Sequence, residues 1–390
     1  MHGVVHVGDF VGVARRFICQ GIGLQISPGV TGTVWPQSNN GDNYANVTLL
    51  IVRRLLSLPL TLFFISVLIF AMLQLLDPTE RAVMYSIEPP KSDRALQDLV
   101  EKYGLDQPLH IQYIDWLTNV LKGNLGYSPS AQQPVMSAFI VYLPATLELT
   151  LFSILPVTAG VWLGMKAAVN RDRMIDHLVR VISTIVYSLP TFVVALLLLL
   201  VFYAGLQWLP SGRLSVWAET AVNSPEFRRY TSLHTIDGLL NSRLDIVLDA
   251  LRHLVLPVVT LACINCAVLA RVMRASMLEA LGQDYVTVAR SKGLSEAHVV
   301  RHHAMRNALM SVTTYAGLLV VGMLNGVGVI EMVFDYHGIG WWAVNAAVTS
   351  DMVAVLALAL FNGVLLLVVN LVIDILYVVI DPRIRLGSVK

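Results

Sequence analysis

Long apolar runs free of Asp, Glu, Lys and Arg alternate along this chain with short polar or basic stretches. Six such runs stand out, at residues 55–76, 149–165, 181–209, 254–270, 308–330 and 352–373. A bilayer's hydrocarbon core is crossed by about 20 helical residues, which is the length class of these runs. Backbone polar groups in lipid must bond within their own segment, so the runs predict helices, not strands. The second run extends back towards Pro144. The third is long enough to tilt or break, and Pro190 two residues after Ser188 predicts a kink there.

Composition agrees. Of 390 residues, 56% are hydrophobic and 14% charged, against about 25% charged in a soluble domain. The fold class expected is therefore all-α, a polytopic membrane helical bundle with six transmembrane helices. The formal net charge of +1 points to no nucleic-acid partner. The flanks orient the chain by the excess of basic residues on cytoplasmic loops. Arg53 and Arg54 precede the first run, and Lys166, Arg171, Arg173 and Arg180 lie around the connection between the second and third. Arg271, Arg274, Arg290, Lys292, Arg301 and Arg306 lie between the fourth and fifth, and Arg383, Arg385 and Lys390 follow the sixth. The segment 334–351 contains no Lys or Arg. Both termini are thus expected in the cytoplasm of a multi-pass inner-membrane protein.

Residues 1–46 lack a sustained apolar run and read as a poorly ordered extension before a transmembrane domain over 47–390. Arg15-Arg16 is followed by no clear apolar core of a signal peptide. Two longer external loops are expected at 77–143 and 210–253. Within the first, Leu96, Leu99, Val100 and Tyr103 share one helical face, and Pro108 opens a second helix with Ile111, Tyr113, Trp116, Leu117 and Val120. Lying on the membrane surface or meeting an external partner is open to these helices, and capping the bundle is the plainer use.

Candidate chemistry is sparse. Cys19, Cys263 and Cys266 form no disulfide framework, and the latter two read as small fillers at a helix interface. His298 and His302 share a helical face, but Arg301 and Arg306 beside them would repel a cation, and no metal site is expected. No phosphate-cradling G-x-x-x-x-G-K-[ST] motif occurs, and no catalytic triad or paired carboxylate lies in the runs, so neither cofactor nor active site is expected. Asn265, Asn325, Asn362 and Asn370 lie within runs, where locking helices together is the commoner use than lining a pathway.

The cytoplasmic loop 271–307 is richer. Gly293 can end one helix in a left-handed conformation, and Ser295 can cap the next. Small residues such as Ala289 and Gly293 permit close approach by a partner. The residues leave two readings open, a docking knob or an ordinary basic loop held inside by its charge.

At this segment the chain resembles a known family. D-Y-V-T-V-A-R-S-K-G-L-S over 284–295, followed by R-H-H-A-M-R-N-A-L over 301–309, is similar to the coupling loop of dipeptide/oligopeptide ABC permeases, in particular the B-type subunit. Y-G-L-D-Q-P at 103–108, G-N-L-G at 123–126, L-P-A-T-L-E-L at 143–149, L-P-S-G-R at 209–213, V-I-E-M-V-F at 329–334, G-I-G at 338–340 and D-P-R-I-R at 381–385 extend the resemblance over about residues 50–387. It implies a type I ABC importer permease fold and a non-catalytic subunit whose energy comes from elsewhere. The partners implied are a second permease, two cytosolic ABC ATPase subunits and an external substrate-binding protein delivering di- or oligopeptides. Short oligosaccharides or a nickel complex are the alternative cargo. A self-contained channel or secondary transporter is the alternative class, and it would more often carry charges in mid-span. The resemblance assigns ATPase coupling to Thr287, Ala289, Arg290, Lys292, Gly293, Leu294, Arg301 and Arg306. Thr287 stands where the general motif has a glutamate, so that glutamate's role passes to no residue here. Substrate-binding residues remain unassigned.

Overall fold

A computed structural model describes residues 58–83, 92–324 and 328–380, all within one unit spanning 46–390. The extension at 1–46, the flanking Arg53, Arg54, Arg383, Arg385 and Lys390, and Asn325 lie outside the described residues. The architecture is almost wholly helical. The elements are α1 (Leu58–Leu73), α2 (Pro78–Val83), α3 (Asp93–Lys102), α4 (Leu109–Leu121), a two-residue hairpin β1 (Tyr127–Ser128) and β2 (Gln133–Pro134), and α5 (Val135–Val169). There follow α6 (Met174–Ser188), α7 (Thr191–Gly205, with a π-helical second half), α8 (Val216–Val222), α9 (His234–Leu240), α10 (Leu244–Leu281) and α11 (Asp284–Ser291). The chain continues through α12 (Glu296–Leu324), α13 (Gly328–Val333), α14 (Ile339–Val348) and α15 (Met352–Ile380).

Four helices are long and apolar enough to cross a membrane, namely α5, α10, α12 and α15, and the bent pair α6–α7 makes a fifth if taken as one span. α1 is a shorter apolar helix that ends at Leu73, where the sequence pattern ran on to residue 76. Just beyond it, the Gln74 side chain accepts from Arg81 Nη1 at 2.7 Å. The third run differs most from expectation. It is no single tilted helix: α6 and α7 meet at 97°. Pro190 is the cause, since it removes a backbone donor and holds Leu189 extended, at φ −87° and ψ 132°.

The other runs underestimate their helices. α10 has 38 residues, about 57 Å at 1.5 Å per residue, against a hydrocarbon core of about 30 Å. Its ends carry charges that mask the helix in a hydropathy scan, and the structure supplies several of them with partners. Arg252 donates to the carbonyl of Trp208, Asp249 accepts from Ser215, and Arg274 pairs with Asp176. α5 likewise begins nine residues before Pro144.

α5 and α10 pack closely because Gly160 and Gly164 lie one turn apart on α5. A Cβ on Gly160 would stand 2.5 Å from the carbonyl oxygen of Cys266 and 2.9 Å from its Cα, and one on Gly164 would collide with Ala270. This small-xxx-small contact is a recurrent helix-pairing device in membranes. It gives Cys266 the interface position expected of it. One core cluster then joins Leu269, Met273 and Met277 of α10 to Ala304 and Ala308 of α12 at the end of the bundle bearing α11. At the opposite end Leu149, Leu254, Ile330 and Phe334 form another. In the first long loop, α4 packs against α1 and α15. Tyr113 of α4 packs edge-on to Phe70 of α1 and bonds Ser66 at 2.8 Å, while Trp116 reaches a small cavity shared with Val353 and Leu356 of α15.

Candidate functional site

The chain reverses twice between α10 and α12. α10 stops at Gly282, Gln283 turns extended, and α11 runs for eight residues before Gly293 ends it at φ +77°. Glycine suits that left-handed position because a side chain there costs energy. Ser295 occupies the start of α12 with extended backbone, but its side chain makes no capping bond. The backbone carbonyl of Ser295 instead accepts from the N–H groups of His298 and Val299 at 2.9 and 3.0 Å.

The result is a small knob with its own core. Val286, Ala289 and Val299 are buried together, with Leu281 packed against them. Ala289 therefore supports the knob from within, while Thr287, Arg290, Lys292, Gly293, Leu294 and Arg301 are exposed. Arg290 clasps Glu296 across the turn through two bonds of 3.0 and 2.6 Å, which fixes α11 against α12. A Cβ on Gly293 would meet nothing within 4 Å, so the backbone at the tip is open to an approaching surface. Val288 and Leu294 expose apolar surface beside these charges, at 52% and 38%. Arg306 lies farther along α12, ten residues beyond Glu296 and so about 15 Å up the helix. Thus Thr287 to Leu294 form one surface, and Arg306 belongs to the helix behind it. His298 and His302 stack with ring centroids 4.2 Å apart, as their spacing predicts.

The opposite end carries groups that sequence reasoning did not assign. Glu148 of α5 is 1% exposed yet accepts from Thr235 N–H and Oγ1 at 2.8 and 2.7 Å, from Arg213 at 3.2 Å and from Tyr336 at 3.4 Å. Glu331 of α13 accepts from Thr146 Oγ1 and from the N–H of Trp341, both at 2.8 Å. Asp351 accepts from Ser128, Ser130 and Ala354, and Asp237 from Thr231 and Ser232. Glu148, Asp237 and Asp351 tie loops to helices, and Glu331 joins α13 to α5 and α14. Their one sequence signal is an acid in an apolar stretch, Glu148 in L-P-A-T-L-E-L-T and Glu331 in V-I-E-M-V-F. A cavity of about 490 Å³ opens beside this network, with Arg213, Arg229 and His234 on its walls. Burial, and then the charges of Arg213 and Arg229, push His234 down to about 3, so its ring is neutral.

Asn265, Asn362 and Asn370 form no side-chain bond between helices among the described residues. Asn362 Oδ1 is buried without a partner, Asn370 is exposed, and Asn265 borders a small cavity with Gly322 and Met323.

A multi-pass helical membrane protein with no catalytic constellation among its described residues, and with a compact knob built between two long helices, has the form of a transporter's membrane component. Comparison with known proteins specifies it. Residues 159–386 match the family described as binding-protein-dependent transport system inner membrane component, and residues 47–150 match the N-terminal region of such membrane components. The chain belongs to this family of inner-membrane permeases. It is 41% identical over 342 residues to the di/tripeptide transport system permease protein DppB of Pseudomonas aeruginosa, covering 86% of this chain and 98% of that one. It is 36% identical to the probable D,D-dipeptide transport system permease protein DdpB of Escherichia coli, covering 76% and 86% of the two chains. It is 33% identical to the oligopeptide transport system permease protein AppB of Bacillus subtilis, covering 86% and 98%.

Proposed function

We propose that this chain is one of two permeases in an ATP-driven importer of di- or oligopeptides, with both termini cytoplasmic. Its knob, Thr287 to Leu294 with Arg301 behind, docks in a groove of a cytosolic ABC ATPase. A second permease completes the pore, and an external binding protein delivers cargo. The observation that carries this reading is the knob itself. A rigid turn, cross-braced by Arg290 and Glu296, presents an open backbone at Gly293 next to exposed Val288 and Leu294. An ordinary retained loop needs only its charges, whereas a folded, cored turn suits force transmission. The peptide reading is favoured over saccharide or nickel because the relatives just named are peptide permeases.

Transport then follows from differential binding. ATP stabilises a closed ATPase dimer, the docked knob moves with its groove, and the helices anchored to it shift between two states. The rigid continuity of α10, about 57 Å long, carries that displacement from the knob to the far end of the bundle. The test is co-purification of the complex followed by ATPase assays. Peptide-loaded binding protein should raise ATP hydrolysis, and liposomes carrying the complex should accumulate labelled dipeptide. Hydrolysis that responds to a saccharide-loaded binding protein and not to peptide would reassign the cargo. Uptake by this chain alone would overturn the reading.

A further inference from the structure

The cavity at the end opposite the knob has no role in the reading above, and its walls are unusual for a structural cleft. Its volume, about 490 Å³, falls in the range of small-molecule sites, about 300–1,000 Å³. The walls come from α5, α8, α9 and the loops around Arg213 and Asp335. Charges of both signs face the same space.

The cationic side consists of Arg213, Arg229 and the neutral ring of His234. Arg213 uses Nη2 on Glu148 and on the carbonyl of Ser232, while its Nε is buried without a partner. Arg229 is held only by the amide oxygen of Asn223, a neutral group, so its charge is uncompensated by that contact. Burial first, and then the charges of these two cations, keep the His234 ring neutral. On the anionic side, Asp237 spends both oxygens on Thr231 and Ser232, and Asp335 pairs with His337. Glu219 is exposed, and its carboxylate has no partner among the described residues.

We propose that this cavity receives a short zwitterionic peptide, with Arg213, Arg229 and His234 taking its terminal carboxylate and Glu219 its terminal ammonium. The assignment rests on the peptide-import reading and adds to it a transit site on the permease itself. A free peptide separates its two terminal charges by the length of its backbone, about 7 Å for an extended dipeptide, a scale that a cavity of this size accommodates. Recognition of the terminal charges and of no side chain suits a carrier that must pass many sequences. Such a site need hold its cargo only weakly, because the binding protein raises the local peptide concentration.

The experiment uses the assembled transporter in liposomes. Val141→Cys on the α5 wall is labelled from outside with a membrane-impermeant maleimide, without binding protein, and Ile140→Cys serves if the first variant assembles poorly. A dipeptide at millimolar concentration is expected to slow labelling at least threefold, and the same dipeptide with an amidated C-terminus is not. Adding Arg229→Ala should remove the protection, and Glu219→Gln should remove it in part. Equal protection by the amide, no protection, or protection by unliganded binding protein alone overturns the proposal, the last outcome marking a docking surface instead. Failure of the unsubstituted complex to import dipeptide would instead sink the peptide reading, and uptake measured in parallel separates the two failures.

Discussion

The two ends of this molecule handle charge in opposite ways. At the knob, Thr287, Arg290, Lys292, Gly293, Leu294 and Arg301 are exposed, and three small apolar side chains form the only core. At the far end Glu148, Asp237, Glu331 and Asp351 are buried, and every one accepts several hydrogen bonds from another segment. A buried carboxylate is tolerable only when paired, and breaking such a pair leaves the remaining groups desolvated and unsatisfied. An exposed arginine contributes little to folding. The far-end carboxylates are therefore completed by this chain's own groups, while the knob keeps an exposed surface that suits the docking proposed above. Substitutions at the two ends should separate transport from stability.

Gly293→Arg is expected to have the largest effect. The φ of +77° costs a non-glycine residue about 1–2 kcal/mol, a modest loss for the fold, but the new side chain occupies the open tip. Peptide uptake should fall to background while the amount in the membrane and the melting temperature change little. A fully active variant would remove the knob from coupling. Glu148→Ala should do the reverse. It strips acceptors from Thr235, Arg213 and Tyr336, and a broken buried pair costs about 3–5 kcal/mol. The protein should aggregate at markedly lower temperature in detergent, with Glu148→Gln intermediate. Comparable melting of the alanine variant and the parent would break the contrast drawn here.

What the sequence made legible follows the same division. Apolar runs locate the spans because lipid imposes them segment by segment, and Gly293 marks the knob because a left-handed turn is a local demand. The far-end network is not local. Glu148 meets residues 65, 87 and 188 positions away, and nothing in its immediate sequence names Arg213, Thr235 or Tyr336. Pro190 announced a kink but not its 97° angle, which depends on what α6 packs against. There the buried Asp176 of α6 accepts from Arg274 of α10. The ends of α10 were hidden because a hydropathy scan counts Asp249, Arg252 and Arg274 as breaks, although each has a partner. Ala289 was legible as small, but its inward orientation required Val286 and Val299 around it.

Acid should act on the far end by a route open to direct measurement. His234 is depressed to about 3 by burial and by Arg213 and Arg229, whereas in an unfolded chain it titrates near 6.5. Between these values the unfolded state binds the extra proton, so stability falls as pH drops below about 6.5 and is unaffected by this group above it. Melting temperature followed from pH 7.5 to 5 should decline, and His234→Gln should flatten part of that slope without touching the knob. An unchanged slope would mean that the ring is hydrated enough to protonate in the folded protein.

The smallest expected effect on stability tests the knob's internal brace. Arg290 and Glu296 are joined by two bonds, but their side chains are 43% and 58% exposed, and such pairs contribute about 0–1 kcal/mol. Arg290→Ala should leave the melting temperature within a degree or two of the parent. In the docking proposed above the brace would serve geometry instead, holding α11 against α12 so that movement of the groove reaches the helices without slack. The variant should therefore still import peptide, but with more ATP hydrolysed per peptide transported. Restoring the pair with exchanged charges, Arg290→Glu with Glu296→Arg, should recover part of the coupling if the brace is what matters. If the exchange recovers nothing while Arg290→Lys is fully active, the positive charge at 290 is being read by the partner directly, and the surface of the knob, not its internal geometry, sets the coupling.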